Sequence, residues 1–340
     1  MAAGGELWAI TCFFNPAGYT RRLRNYRVFR RALNVPLLAV ELAYGTAFEL
    51  EPGDADVLVQ LRGTSILWQK ERLLNVALEH LPSHCEAIAW IDCDLVLERR
   101  DWAEQARHSL EERSLVQLFD SLYDLPRDVM PAQFDLAATP PAARSFGYRM
   151  ATGSAGSDDL RPPDSECVRG CPFGLGWAAR RELLEAHGFY DALILGSGDR
   201  AMACAAYGRF ADAIHTTCLD ERRAAHYLRW AEPFFDRVGG EVGYIDGGLF
   251  HLWHGDIRNR RYVGRHQDLA RLDFDPLTDI ALDEAGCWRW STDKPDLRAF
   301  MQRYFLSRRE DGSDRPRVPK AEAPPGGGSS ILVSGAVPRR

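Results

Sequence analysis

No stretch of this chain holds the about 18 consecutive apolar residues that a membrane helix needs, so none is expected to span a bilayer. The opening residues, MAAGGELWAITCFFN, lack a basic segment followed by an apolar core, and no secretory signal is expected there. Cys167 and Cys171 have no second cysteine pair nearby, which argues against a zinc knuckle. The remaining cysteines (12, 85, 93, 204, 218 and 287) are scattered, several inside apolar runs, as reduced thiols of a cytoplasmic protein would be. There is no internal repeat, and a formal net charge of −6 excludes a polybasic nucleic-acid or membrane binder as the whole-chain character. What is present is ordinary globular composition: 340 residues, 46% hydrophobic and 26% charged.

The apolar pattern alternates between strand and helix. LWAITCFF (7–14) reads as a buried strand that runs into the turn signal NPAG. Residues 19–33 follow with helical spacing, and PLLAVELAYG and DVLVQLRG are two further strands. The clearest helix spans 65–81: Ile66, Leu67, Leu73, Leu74, Ala77, Leu78 and Leu81 line one face, Ser65 can cap it, and Pro82 lies beyond its end. The strand AIAWIDCDLVL, a helix over 101–113 and SLVQLFDSLYDL complete this half. The pattern predicts an α/β fold, a mainly parallel sheet with helices on both faces, and ligands at the carboxyl ends of its strands.

From about 124 to 170 a Pro/Gly/Ser/Asp-rich segment reads as a long loop or lid. Order returns at CPFGLGWAARRELLEAHGFYDALILGSGDRAMACAAYG, as strand, helix, a stop at Gly188, loop and helix. A helix over about 219–236 and the strand GGLFHLWHG follow. From Arg308 onward the composition predicts a disordered tail, leaving 1–307 as the folded domain.

Asp92 and Asp94 end a strand that is otherwise apolar. Strand alternation would turn both carboxylates to one side, where they could share a hard cation. A bare Asp-x-Asp also arises in solvated turns, but carboxylates beside a buried strand are costly without a cation or donors. A diphosphate held by Mn2+ or Mg2+ explains the arrangement. A lone histidine in HLWHG reads, by itself, as a hydrogen-bonded core residue. Three positions apart in an extended strand, His251 and His254 would face opposite ways.

Four segments, taken in order, resemble the β-1,4-galactosyltransferase family. Trp68-Gln69-Lys70-Glu71-Arg72-Leu73-Leu74-Asn75 falls on that family's helix of the type F-N-R-x-K-L-L-N, and Asp92-Cys93-Asp94-Leu95 on its metal motif. FGLGWAARRELLEAHGFYDALILGSGD and HLWHG look like its later glycine-rich and metal-histidine segments. The resemblance covers roughly 7–275 and implies a GT-A (Rossmann-like) fold and a metal-dependent glycosyltransferase using a nucleotide-sugar donor, with UDP favoured. By matched position Asp94 and His254 would hold the metal, with Asp92 on it or on the ribose and His251 as a further ligand. Asp199 would be the general base of an inverting transfer. Its alternative reading is a helix cap. Gly174 and Gly176 would let the chain pass the donor sugar, with Trp177 stacking on it and Arg258 on the diphosphate. Asn15, Gln69 and Lys70 are candidates for base and ribose contacts.

The chain departs from the family where Gly196-Ser197-Gly198-Asp199 replaces G-G-E-D and where Asn15-Pro16-Ala17-Gly18 replaces a basic pair. The acceptor stays open among a saccharide, a lipid-linked saccharide, a protein and a modified DNA base. Two other readings compete: a sugar-phosphate nucleotidyltransferase, for which FFNPAGYTRR is a poor signature loop, and a non-catalytic nucleotide-sugar-binding protein.

Overall fold

The computed structural model describes residues 6–156, 165–167, 170–312 and 331–335. The first half runs β1 (Glu6–Phe14), α1 (Thr20–Ala32), β2 (Leu37–Ala43), β3 (Val57–Arg62), α2 (Lys70–Glu79), β4 (Cys85–Ile91), β5 (Leu95–Leu97), α3 (Trp102–Glu112), β6 (Leu115–Gln117) and β7 (Ser121–Asp124). The long loop predicted over 124–170 carries β8 (Ala143–Arg144) and α4 (Phe146–Ala151), and its residues 157–164, 168 and 169 lie outside the described residues. Then come β9 (Gly176–Arg180), α5 (Arg181–His187), α6 (Gly198–Ala206), α7 (Phe210–Thr216), α8 (Glu221–Val238), β10 (Val242–Tyr244) and β11 (Gly248–His251). The chain closes with α9 (Arg265–Ala270), β12 (Ile280–Leu282), β13 (Trp288–Trp290), α10 (Pro295–Ser307) and β14 (Leu332–Gly335).

The main sheet has the order β10-β6-β9-β4-β1-β2-β3-β14. Strands β1, β2, β3, β4, β6 and β10 run one way, while β9 and β14 run against them. The predicted α/β class therefore holds, with a mainly parallel sheet. Strand β4 shows why its sequence is apolar throughout: Ile88 and Trp90 enter one core, and Ala87, Ala89 and Ile91 the other. A strand covered on both faces has no polar side to show. Helices α1 and α3 cover one face through Tyr26, Phe29, Trp102, Ala106 and Leu110. Helices α2, α5, α6, α8 and α10 cover the other. Beside the carboxyl ends of β1 and β4 sits a smaller sheet, β5-β11-β7-β8, which brings β11 alongside the Asp92–Asp94 turn.

Two expectations are corrected. The helix predicted over 65–81 begins at Lys70, because Ser65 Oγ accepts from the Trp290 amide and the Trp68 amide donates to Ile194 O, holding that stretch to other elements. The disordered tail expected from Arg308 onward does not hold for Arg308–Gly312 or for β14, which pairs antiparallel with β3. Arg308 is 4% exposed and Glu310 fully buried. Composition weighs charges singly, whereas here Arg22, Arg260 and Arg308 surround one carboxylate. Residues 313–330 and 336–340 lie outside the described residues.

Among the described residues no helix is long and apolar enough to cross a membrane.

Candidate metal centre and catalytic cleft

The chain leaves β4 at Ile91, and the next residues, Asp92, Cys93 and Asp94, form a turn rather than a continuing strand. This overturns the expectation that alternation points both aspartates at one cation. Both line the same cleft but serve different partners. Asp92 Oδ1 lies 2.6 Å from Lys70 Nζ, and Asp94 Oδ2 lies 3.2 Å from His254 Nδ1.

His251 and His254 do not face opposite ways. Strand β11 ends at His251, the chain turns, and the two Nε2 atoms come within 2.8 Å. His251 Nδ1 is in turn 2.8 Å from Asp124 Oδ1, a partner set by the parallel register of β7 and β11, which places Asp124 opposite His251. Asp94, His251 and His254 each offer a ligand atom, all within 4.8 Å of one another. One carboxylate and two imidazoles, with a second carboxylate orienting one ring, is a donor set that fits Mn2+. Asp124 was not legible as a site residue, because only the strand pairing brings SLYDL to the histidines.

Lys70 opens α2 and projects into the cleft with a side chain 8% exposed, where Asp199 Oδ2 accepts from it at 2.7 Å. It thus bridges Asp92 and Asp199. Glu71, the next residue, is buried against the first turn of α6: a Cβ at Gly198 would collide with its carboxyl group. Burial weakens the Lys70 charge, but Asp199, Asp92 and Glu71 outweigh it and hold the ammonium well above its usual range. Three carboxyl groups around one ammonium leave excess negative charge, which a retained proton relieves. Burial pushes Asp92 up to about 6 against the pull of Lys70, and Glu71 from 4.5 up to about 8 for the same cause, with Asp199 adding to it.

The sign of the Glu71 shift sets a pH dependence. The folded protein holds this proton more tightly than the unfolded chain does. The stability it contributes is complete below the ordinary carboxyl range and is lost as pH rises toward about 8. Glu71→Gln keeps a neutral group of the same shape. Its melting temperature should fall less than the wild type's between about pH 5 and 8, and parallel melting curves would remove Glu71 as the titrating group.

Asp199 lies in the first turn of α6, but the cap position belongs to Ser197, whose φ is 78°. The capping alternative for Asp199 therefore falls away. Gly174 also lines the cleft, and a Cβ there would collide with the Asp199 carboxylate, so its glycine makes room for that side chain.

Five other predicted donor-binding residues stand away from the cleft. Asn15 is buried and staples its own turn, accepting from the Tyr19 amide at 2.8 Å and donating to Tyr19 O and Glu49. Gln69 bonds both backbone groups of Trp288, tying α2 to β13. Trp177 is fully buried, its indole N–H donating to Phe173 O and its ring stacked on Trp90. Arg258 is 67% exposed beside Asp256. Gly176, at the start of β9, faces Leu118 in the core rather than the cleft. In their place the cleft draws guanidinium groups from distant segments: Arg22, Arg200, Arg260, Arg265 and Arg308. Arg260 donates to His254 O at 2.6 Å, and Arg22 to Phe14 O at 2.7 Å. Arg260 and Arg265 belong to the visible run GDIRNRRYVGRHQ, whereas nothing local marks Arg22, Arg200 or Arg308.

No protein-family model and no curated protein matches the chain. Solved structures with similarity include glucosyl-3-phosphoglycerate synthase from Mycobacterium tuberculosis in complex with Mn2+, UDP and phosphoglyceric acid, at 14% identity over 87% of this chain and 92% of that one, TM-score 0.39. TarS from S. aureus in complex with UDP-GlcNAc is 10% identical over 89% of this chain and 72% of that one, TM-score 0.37. The mannosyltransferase PcManGT from Pyrobaculum calidifontis with GDP-Man and Mn2+ is 17% identical over 70% and 74%, TM-score 0.32. Likeness at this level carries no argument about what this chain binds.

Proposed function

We propose that the protein is a GT-A glycosyltransferase that moves a sugar from a nucleotide-sugar donor to an acceptor hydroxyl, with a divalent metal at Asp94, His251 and His254 and Asp199 as base. The observation that carries this reading is the convergence, in one cleft at the carboxyl ends of β1 and β4, of a metal-competent triad and a separate carboxylate held by Lys70. Mn2+ or Mg2+ bound there would neutralise the diphosphate oxygens as the bond to the sugar breaks. Asp199 Oδ2 is committed to Lys70, which leaves Oδ1 to take a proton. The acceptor oxygen would form the new bond to the anomeric carbon, its proton passing to Asp199, while the nucleoside diphosphate leaves with the electron pair of the old bond. Lys70 keeps positive charge beside the carboxylate that takes the proton. UDP-sugars are the favoured donors, on the resemblance of the four sequence segments.

The test is Mn2+-dependent binding and slow hydrolysis of nucleotide sugars. A ligand at about a hundredfold over its Kd stabilises by roughly 2.7 kcal/mol, a readily measured thermal shift. Asp94→Ala and His254→Ala should each abolish the Mn2+-dependent part of that shift while the metal-free protein still melts cooperatively. Unchanged donor affinity in Asp94→Ala would overturn the metal assignment. Consumption of UTP with a sugar phosphate, and none of UDP-sugars, would point to nucleotidyl transfer instead.

A further inference from the structure

The cations of the cleft are not all satisfied alike. Lys70 is taken by Asp92 and Asp199, and Arg22, Arg260 and Arg308 share the Glu310 carboxylate. Arg265 differs. It lines the cleft and is only 4% exposed, yet its partners are neutral: Nη2 donates to Ser197 Oγ and Nη1 to Tyr304 Oη, both at 2.8 Å. Among the described residues its Nε has no hydrogen-bond partner and no carboxylate pairs with it. A buried guanidinium ringed by neutral groups is costly unless an anion arrives to complete it. Arg200 lines the same wall, its guanidinium 4.1 Å over the Phe173 ring, and burial together with the nearby Arg265 charge holds it below the usual arginine range. His266, buried beside them, faces Ser197 Oγ at 2.9 Å.

These groups share the cleft with the metal triad but attach beside the candidate base. Arg200 follows Asp199 directly, and Arg265 bonds Ser197, two residues before it, so both flank the candidate base at the start of α6. The metal triad instead has Arg260 on its His254 carbonyl. A donor diphosphate bound at the metal would leave Arg265 still without a carboxylate partner among the described residues.

We propose that Arg265, with Arg200, forms a second anion subsite beside Asp199 and that the acceptor is itself an anion, a hydroxyl compound bearing a phosphate or carboxylate. This rests on the reading of Asp199 as base. The subsite holds the acceptor's charged group while its hydroxyl is presented to Asp199, and the arginines take no part in the bond changes.

Inorganic phosphate is the first probe, titrated into the full chain alone and again with Mn2+ and UDP saturating. Phosphate should bind in both conditions. Arg265→Gln should weaken it by at least about tenfold, with Arg265→Lys losing less, while UDP affinity with Mn2+ changes by under about threefold. Phosphate binding that vanishes once UDP and Mn2+ are bound, or that survives Arg265→Gln unchanged, overturns the proposal. If UDP does not bind with Mn2+, the donor reading fails by itself, and the titration of the protein alone still decides whether Arg265 holds an anion. Glucose 6-phosphate, glucuronate and glucose then compete against phosphate: the first two should displace it, and the tighter of them tells phosphate from carboxylate. Displacement by glucose equal to that by the anions overturns the anionic acceptor.

Discussion

Asp199→Asn is expected to bind donor and Mn2+ like the wild type and to lose turnover by about 10²- to 10⁴-fold, or roughly 3–5 kcal/mol of barrier. The substitution barely changes volume, and Asn Oδ1 can still accept from Lys70, which keeps Asp92 as its counter-charge at 2.6 Å. What it removes is the second oxygen's ability to take a proton. The helix is unaffected by design, since the cap position is Ser197 and not Asp199. Turnover should be read as product formed per enzyme with donor and acceptor saturating, beside a donor titration on the same preparation. A rate within a few-fold of the wild type would remove Asp199 as base and send the search to another carboxylate of the cleft. A donor affinity that fell together with the rate would mark Asp199 as a donor contact instead.

Glu310→Ala is expected to destabilise the protein by about 3–5 kcal/mol, because it leaves buried guanidinium groups without their shared carboxylate. The side chains of Arg22, Arg260 and Arg308 are 13%, 5% and 5% exposed, so they have little water to fall back on. For a chain of this size the loss corresponds to a melting temperature lowered by roughly 5–8 °C. Arg260 also holds the carbonyl of His254, so Mn2+ affinity should fall in the same variant. The Asp311 carboxylate accepts from the first amides of α1, Thr20 and Arg21, and it remains in place, so the comparison isolates the ion cluster from the capping contact. A melting temperature within about 2 °C of the wild type would mean that the arginines relax to solvent and that this segment is not held by its charges.

The sequence by itself determined the architecture, and the resemblance it carries singled out Asp94 and His254, whose side chains lie 3.2 Å apart. Apolar runs such as AIAWI, buried on both faces, and periodic runs such as LLNVALEHL can adopt little else, because local hydrophobic period selects strand or helix before any partner is chosen. Asp94 and His254 were legible through the order of the four matched segments, because a lone histidine in HLWHG reads by itself as a hydrogen-bonded core residue. Tertiary structure alone decided which other groups meet there. The register of β7 against β11 chose Asp124 for His251, the end of β11 turned His254 back onto it, and the entry of α2 drew Lys70 between Asp92 and Asp199. The arginines and Glu310 come from α1, α6, α9, α10 and the segments around them, up to 288 residues apart in the chain between Arg22 and Glu310 (310 − 22). A charged residue reads as surface when taken alone, and only the fold shows which charges it has paired and buried and which, like Arg265, it has left waiting for one.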